Sequence, residues 1–152
     1  MCVYAVVAVF VIGDRMLNSV YRDLTERVKK HEGFRERVYL DSLGVGTIGY
    51  GFTYLKQDEC DKILDNRLRE ATQLVEGYLS NEGISLDDFR IGILVEMTFQ
   101  LGFKGVLCFK KMWRALRDMD YSTAAAEMKQ SRWFKQTPVR AGELARKMER
   151  GY

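Results

Sequence analysis

Only one stretch of this chain, Arg37 to Thr53, reads as β structure, while apolar residues elsewhere recur at helical spacing. The chain is therefore mainly helical, with one small β region. Within that region "GVGTIGYGF" alternates with period two, placing Ile48, Tyr50 and Phe52 on one face and Thr47, Gly49 and Gly51 on the other. The first face is expected to be buried. The second is nearly bare, so a ligand or another chain could approach the backbone; a bulge or tight bend explains such glycines equally well.

The helical spacing divides the rest of the chain. Val20, Leu24 and Val28 mark a helix from Ser19 to His31, with Gly33 placed for a left-handed stop and Glu32 at its end. From Gln57 to Leu79, the residues Cys60, Ile63, Leu64, Leu68, Ala71, Leu74, Val75 and Tyr78 form one stripe of a long helix, which Asn81 and Gly83 should end. "SLDD" at 85 to 88 resembles a capping box that opens with Ser85, ahead of a run to Phe99 that is apolar nearly all round, as in a central core helix. Further helices are expected over Phe109 to Arg117 and Ser122 to Gln130. A last one starts at Thr137 as cap and Pro138 as its first residue.

With 152 residues the chain is long enough for one domain with a sizeable core, and its 47% apolar and 30% charged residues exclude a disordered chain. Cys2, Cys60 and Cys108 are too widely spaced for a zinc site or a disulfide framework, which leaves buried free thiols in a reducing compartment as the expectation. His31 is the one histidine, so neither a His-based metal site nor a Ser-His-Asp triad is expected. Any chemistry falls to carboxylates. From Lys104 onward twelve Lys and Arg face five Asp and Glu, a balance of +7 in a chain of net charge +3. Such a half suits an anionic cell envelope or simply a solvated surface, and no nucleic-acid-binding motif accompanies it.

Glu32 stands where the first helix gives way to the β region, and Asp41 follows nine positions later, before a turn at "DSLG". Partial burial at the junction would disfavour the ionised form of Glu32 and suit it to donate a proton, while a more open Asp41 could act as a base. Glycosidic hydrolysis needs such a pair: one carboxyl for the leaving oxygen, one for water. On spacing alone, a helix-end Glu and a turn Asp are equally at home as solvated or capping residues.

"HEGF" followed by "YLDSLGVGTIGYG" resembles the active-site segment of phage-type lysozymes, the endolysins related to the T-even phage enzyme (glycoside hydrolase family 24). "FQLGFKGV" from Phe99 and "SRWFKQTPVRA" at 131 to 141 are similar to two further family blocks, in the same order. The resemblance implies an α+β lysozyme-like fold: a small antiparallel-sheet lobe at about 34–56, a long connecting helix, and a helical lobe at about 80–152, with a cleft between the lobes. It implies hydrolysis of the β-1,4 bond between N-acetylmuramic acid and N-acetylglucosamine in peptidoglycan with inversion, without metal or organic cofactor. Glu32 is then the general acid, and Asp41 with Thr47 holds the attacking water. Arg140 is a supporting residue expected to pair with Glu32, while Gly49, Gly51, Phe99 and Gln100 line the substrate site; Phe99 on an apolar helix could equally be core. A monomeric endolysin would wait in the host cytoplasm and act on the wall in the periplasm; a lysozyme carried on a virion or used by a host for wall remodelling is the alternative among enzymes, and a silent wall-binding module is the reading from another class. No nucleic-acid partner is implied.

Three departures from the family pattern stand out. Phe52 occupies the place where many members carry a histidine, "FTYLKQDE" makes a short link into the second helix, and residues 1 to about 18 precede the pattern. Val3 to Gly13 is an apolar run of 11 residues, shorter than the roughly 17 to 25 needed to span a bilayer. It lacks a basic leader and a small-residue cleavage site. Packing on the body of the fold is favoured over an upstream extension starting naturally at Met16 and over an export signal, because such a run left in water invites aggregation.

Overall fold

The computed structural model describes residues 22–152, so Cys2, Met16 and the apolar run Val3 to Gly13 lie outside the described residues. The fold is α+β. The chain divides into a small unit ending at Gln57 and a larger one, Asp58–Tyr152.

The small unit opens with helix α1, described over residues 22–32. Gly33 ends it at φ 65°, its N–H donating to the Lys29 carbonyl at 3.0 Å. That left-handed stop is the one glycine makes without a Cβ penalty. Strands β1 (Arg35–Leu40) and β2 (Gly46–Gly49) then pair antiparallel, with Tyr39 opposite Thr47 and Leu40 opposite Gly46. The register slips before Arg35 meets Gly49. The expected strand does not run on to Thr53. Instead the chain reverses after Gly49, and Ile48 and Phe52 exchange two backbone hydrogen bonds of 2.9 Å. Gly49 and Gly51 allow this with φ of 67° and 84°, so the tight-bend explanation of these glycines holds and the simple alternation fails. The expected division into one buried and one open face does not hold: Thr47 is 4% exposed and Gly51 is open, while Ile48 and Phe52 are exposed and Tyr50 is half-buried.

The larger unit is helical. The long helix α2 (Gln57–Glu82) ends at Gly83, φ 65°, and buries Ala71, Val75 and Leu79, while Ile63, Leu64 and Leu74 of the expected stripe stay partly open. Helix α3 (Asp88–Leu101) is the apolar one, and Ile93, Leu94, Val95 and Met97 are buried on it. Its cap is Asp87, not Ser85: the Asp87 carboxylate accepts the Arg90 N–H at 3.0 Å, because the helix begins two residues later than a cap at Ser85 requires. Two short helices, α4 (Phe103–Leu107) and α7 (Arg132–Gln136), flank α5 (Lys110–Arg117) and α6 (Tyr121–Lys129). Helix α8 (Pro138–Arg150) has its proline in the first turn, as expected, but Thr137 does not cap it with its side chain; that hydroxyl donates back to the Trp133 carbonyl at 3.2 Å.

One continuous core joins α2, α3, α5, α6 and α8 through Val75, Leu94, Met112, Leu116, Met128 and Met148. Trp113 is buried in it with its indole N–H on the Val106 carbonyl at 3.0 Å, and Tyr78 packs edge-on against that ring at 4.8 Å. Arg90 locks two helix ends together. Nearly buried, it donates from Nε to the Met148 carbonyl at 2.8 Å and from Nη2 to that of Glu149 at 3.2 Å, while Nη1 pairs with Asp87. Its guanidinium thus meets the negative end of α8 and also covers Tyr121, 3.5 Å from the ring centroid. Cys60 and Cys108 are free but exposed, contrary to the expected burial, since Cys60 falls on the open first half of α2 and Cys108 just after α4.

Candidate active site

The three residues with the strongest chemical expectation, Glu32, Asp41 and Thr47, all lie in the small unit. Asp41 is fixed by the turn that follows β1. One carboxylate oxygen, Oδ1, accepts the backbone N–H groups of Leu43 and Val45, each at 2.8 Å. The Asp41 N–H donates to the Val45 carbonyl at 2.9 Å, and Gly44 closes the turn on the Asp41 carbonyl at 3.0 Å. The side chain therefore has one oxygen tied to the backbone and its orientation set.

Thr47 reaches the same residue, Val45, through its carbonyl. Its hydroxyl donates to the Val45 carbonyl at 3.1 Å. Val45 consequently links Asp41 to Thr47: its N–H holds the carboxylate, and its C=O takes the threonine proton. A hydroxyl that spends its proton this way presents its lone pairs to any further partner. Sequence reading singled out Asp41 and Thr47 but missed Val45, whose contribution is backbone only and leaves no side-chain signal.

Glu32, the last residue of α1, is exposed rather than partly buried, because Gly33 turns the chain away at once. Its carboxyl lies over Gly51, where an added Cβ would come within 3.2 Å of Oε2. The space above Gly49 is likewise filled, by the Phe52 ring at 3.0 Å from the corresponding point. The room expected for a ligand beside these two glycines is thus taken by Glu32 and Phe52. Phe34 and Tyr50 pack together nearby, ring centroids 5.4 Å apart. One turn before Glu32, Lys29 is committed to Glu26: the direct hydrogen bond, then the carboxylate's charge, raises it above the ordinary lysine range.

The remaining expected site residues belong to the helical unit. Phe99 is 40% exposed and so is not core. Gln100 accepts the Trp133 indole N–H at 2.8 Å, which fixes the orientation of its amide. Arg140, expected opposite Glu32, is held by Glu96 of α3, Nε to Oε1 at 2.7 Å. A groove of about 640 Å³ opens in this unit, with Phe109 and Trp133 in its wall and Lys110, Lys111, Arg132 and Glu127 around it. Leu101, Gly105, Ser131, Arg132, Trp133 and Gln136 of its lining stood in the two family-like blocks; Phe109, Lys110, Lys111 and Glu127 did not. Among the described residues no group of three or more His, Cys, Asp or Glu could hold a metal ion.

A small sheet unit that carries a Glu and an Asp beside a glycine turn, followed by a helical unit, is the arrangement of a lysozyme-like glycoside hydrolase. The phage lysozyme family matches residues 29–150, and the chain belongs to that family. It is similar to the protein named Probable T4-type lysozyme 1 of Dictyostelium discoideum, 27% identical over 84% of this chain and 94% of that one. It is also similar to the pre-baseplate central spike protein Gp5 of Enterobacteria phage T4, 27% identical over 86% of this chain and 29% of the spike protein. The peptidoglycan hydrolase gp36 of Pseudomonas phage phiKMV is 26% identical over 88% of this chain and 16% of its own length. The protein is a glycoside hydrolase of the lysozyme class, and its substrate is peptidoglycan.

Proposed function

We propose that the protein hydrolyses the β-1,4 bond between N-acetylmuramic acid and N-acetylglucosamine with inversion, and that it serves as an endolysin. The observation that carries the mechanism is the Val45 backbone, whose N–H holds Asp41 and whose C=O holds Thr47. Asp41 Oδ1 is occupied by backbone, which leaves Oδ2 to take one proton of a water. Thr47, having donated to Val45, accepts a hydrogen bond from the water's other O–H, which stays on the oxygen that becomes the new anomeric hydroxyl. A water held by two acceptors keeps a lone pair for the anomeric carbon, and a nearly buried hydroxyl suits a single ordered molecule.

Glu32 then protonates the leaving oxygen. It is exposed in the free enzyme and so open to the glycan. Attack by water on the face opposite the leaving group inverts the centre. The basic groove of the helical unit favours contact with anionic wall polymers. The enzyme would wait in the host cytoplasm as a monomer and act on the wall in the periplasm.

Turbidity loss on permeabilised bacteria, with analysis of the released ends, tests this reading. Muramic-acid reducing ends, released first as the inverted anomer, are expected. Anhydro-muramyl ends would replace hydrolysis by transglycosylation, and wall binding with no released ends would leave a binding module. Asp41→Asn should abolish release. The similarity to the phage T4 spike protein favours a second reading, a virion-borne lysozyme. Detection of the chain in purified particles would decide for it.

A further inference from the structure

The glycine turn beneath the Glu32 carboxyl also presents an exposed aromatic ring. Phe52 is half exposed, although its backbone is fixed by two hydrogen bonds with Ile48 and its ring rests on the bare Cα of Gly49. Phe34 and Tyr50 have each other as ring partners, whereas no ring pair among the described residues includes Phe52. Gly51, next to Phe52 in the chain, lies beneath the Glu32 carboxyl. The Cα atoms of Gly49 and Gly51, two residues apart, are separated by no more than about 7 Å. One oligosaccharide therefore reaches both the ring and the acid. A pyranose carries axial C–H groups with a slight positive charge, and the face of an aromatic ring is negative. A half-open ring on a hydrogen-bonded backbone, with no aromatic partner among the described residues, is suited to that contact.

We infer that Phe52 is a sugar platform of the glycan site, stacking on a pyranose next to the bond that Glu32 protonates. The inference rests on the assignment of Glu32 as acid, and the two can be separated. Glu32→Gln is prepared first. Residual hydrolysis near the wild-type level would overturn the assignment itself.

In the inactive Glu32→Gln background, binding of soluble uncross-linked glycan strands is compared with and without Phe52→Leu, which keeps the apolar volume but removes the π face. The expected result is a loss of affinity of about three- to tenfold, restored by Phe52→Tyr or Phe52→Trp. In the active enzyme the same Phe52→Leu change should raise KM by a similar factor with kcat nearly unchanged. Equal affinity for Phe and Leu overturns the platform while leaving the acid intact. Should Phe52→Leu fail to fold, the Phe52→Trp variant still decides: added glycan strands should shift a tryptophan emission component absent from the parent, and a spectrum that glycan leaves as in the parent overturns the inference.

Discussion

The two units of this protein hold their shape by different means. In the helical unit Val75, Leu94, Met112, Leu116, Met128 and Met148 are all fully buried, and packing density keeps each in place. In the small unit Phe34, Val38, Leu40, Leu43 and Phe52 are exposed, and the buried residue singled out there is the polar Thr47. Among its described residues the fixing elements are backbone ones: the Gly33 stop, the Asp41 turn, the Val45 link and the glycine reversal at 49–51. The chemistry is thus assigned to a region positioned by hydrogen bonds and backbone angles, and stability to a region positioned by apolar burial. Active residues commonly occupy such loops on a better-packed scaffold.

The largest effect should come from breaking the chemical side of that division alone. Glu32→Gln is expected to cost at least about 10²- to 10⁴-fold in turnover, the range of a general acid. Because Glu32 is exposed, the melting temperature should hardly move. The converse change is Leu94→Ala, which empties a fully buried position of α3. It should lower stability by about 2–5 kcal/mol, with activity per folded molecule near normal at low temperature. Calorimetry and a rate assay on the same preparations separate the two. A Leu94→Ala enzyme that is folded but inactive would break the comparison.

A paired glycine substitution sharpens it. Gly51 and Gly83 both have positive φ, 84° and 65°, so alanine is strained at each by about 1–2 kcal/mol. Only at Gly51 does the new methyl group meet something, the Glu32 carboxyl at 3.2 Å; at Gly83 nothing lies within 4 Å. Both variants should therefore lose similar stability, but Gly51→Ala alone should lose turnover, by about tenfold or more through displacement of the acid. Equal activity in the two variants would show that the carboxyl is not positioned by that contact.

The same difference explains what could be read in the sequence. Helices α2, α3 and α8 were legible because a packed core imposes its spacing on the chain, and the spacing survives in the residue pattern. The five-residue helices α4 and α7 are too short to show a period. Asp87 rather than Ser85 caps α3 because two acceptors stood within reach of the same helix start, and only the Arg90 contact selects between them. In the β region, alternation did not predict burial: it assumes an extended backbone, which the left-handed Gly49 and Gly51 do not have. Glu32, Asp41 and Thr47 were legible as residue types in a motif. The Val45 link and the Phe52 ring over Gly49 were not, since both depend on how the turn closes.

The smallest expected effect lies where the helical unit itself relies on charge. Asp87 caps α3 and pairs with Arg90, which in turn holds the end of α8. Burial opposes its ionisation, yet the Arg90 backbone N–H, the guanidinium hydrogen bond and the guanidinium charge together leave it below the ordinary aspartate range. The unfolded chain therefore takes up this proton at a higher pH than the folded one. Stability from Asp87 is fully present above the ordinary value of about 3.9 and fades as pH falls through the lower folded value. Asp87→Asn keeps a cap acceptor but loses the charge, so at neutral pH it should cost about 1 kcal/mol. In denaturation series at neutral pH and at pH 3, the gap between wild type and variant should narrow on acidification, with wall hydrolysis at neutral pH unaffected. A gap that stays constant down to pH 3 would remove the charge from the account, leaving α3 and α8 joined by neutral hydrogen bonds and packing like the rest of their unit.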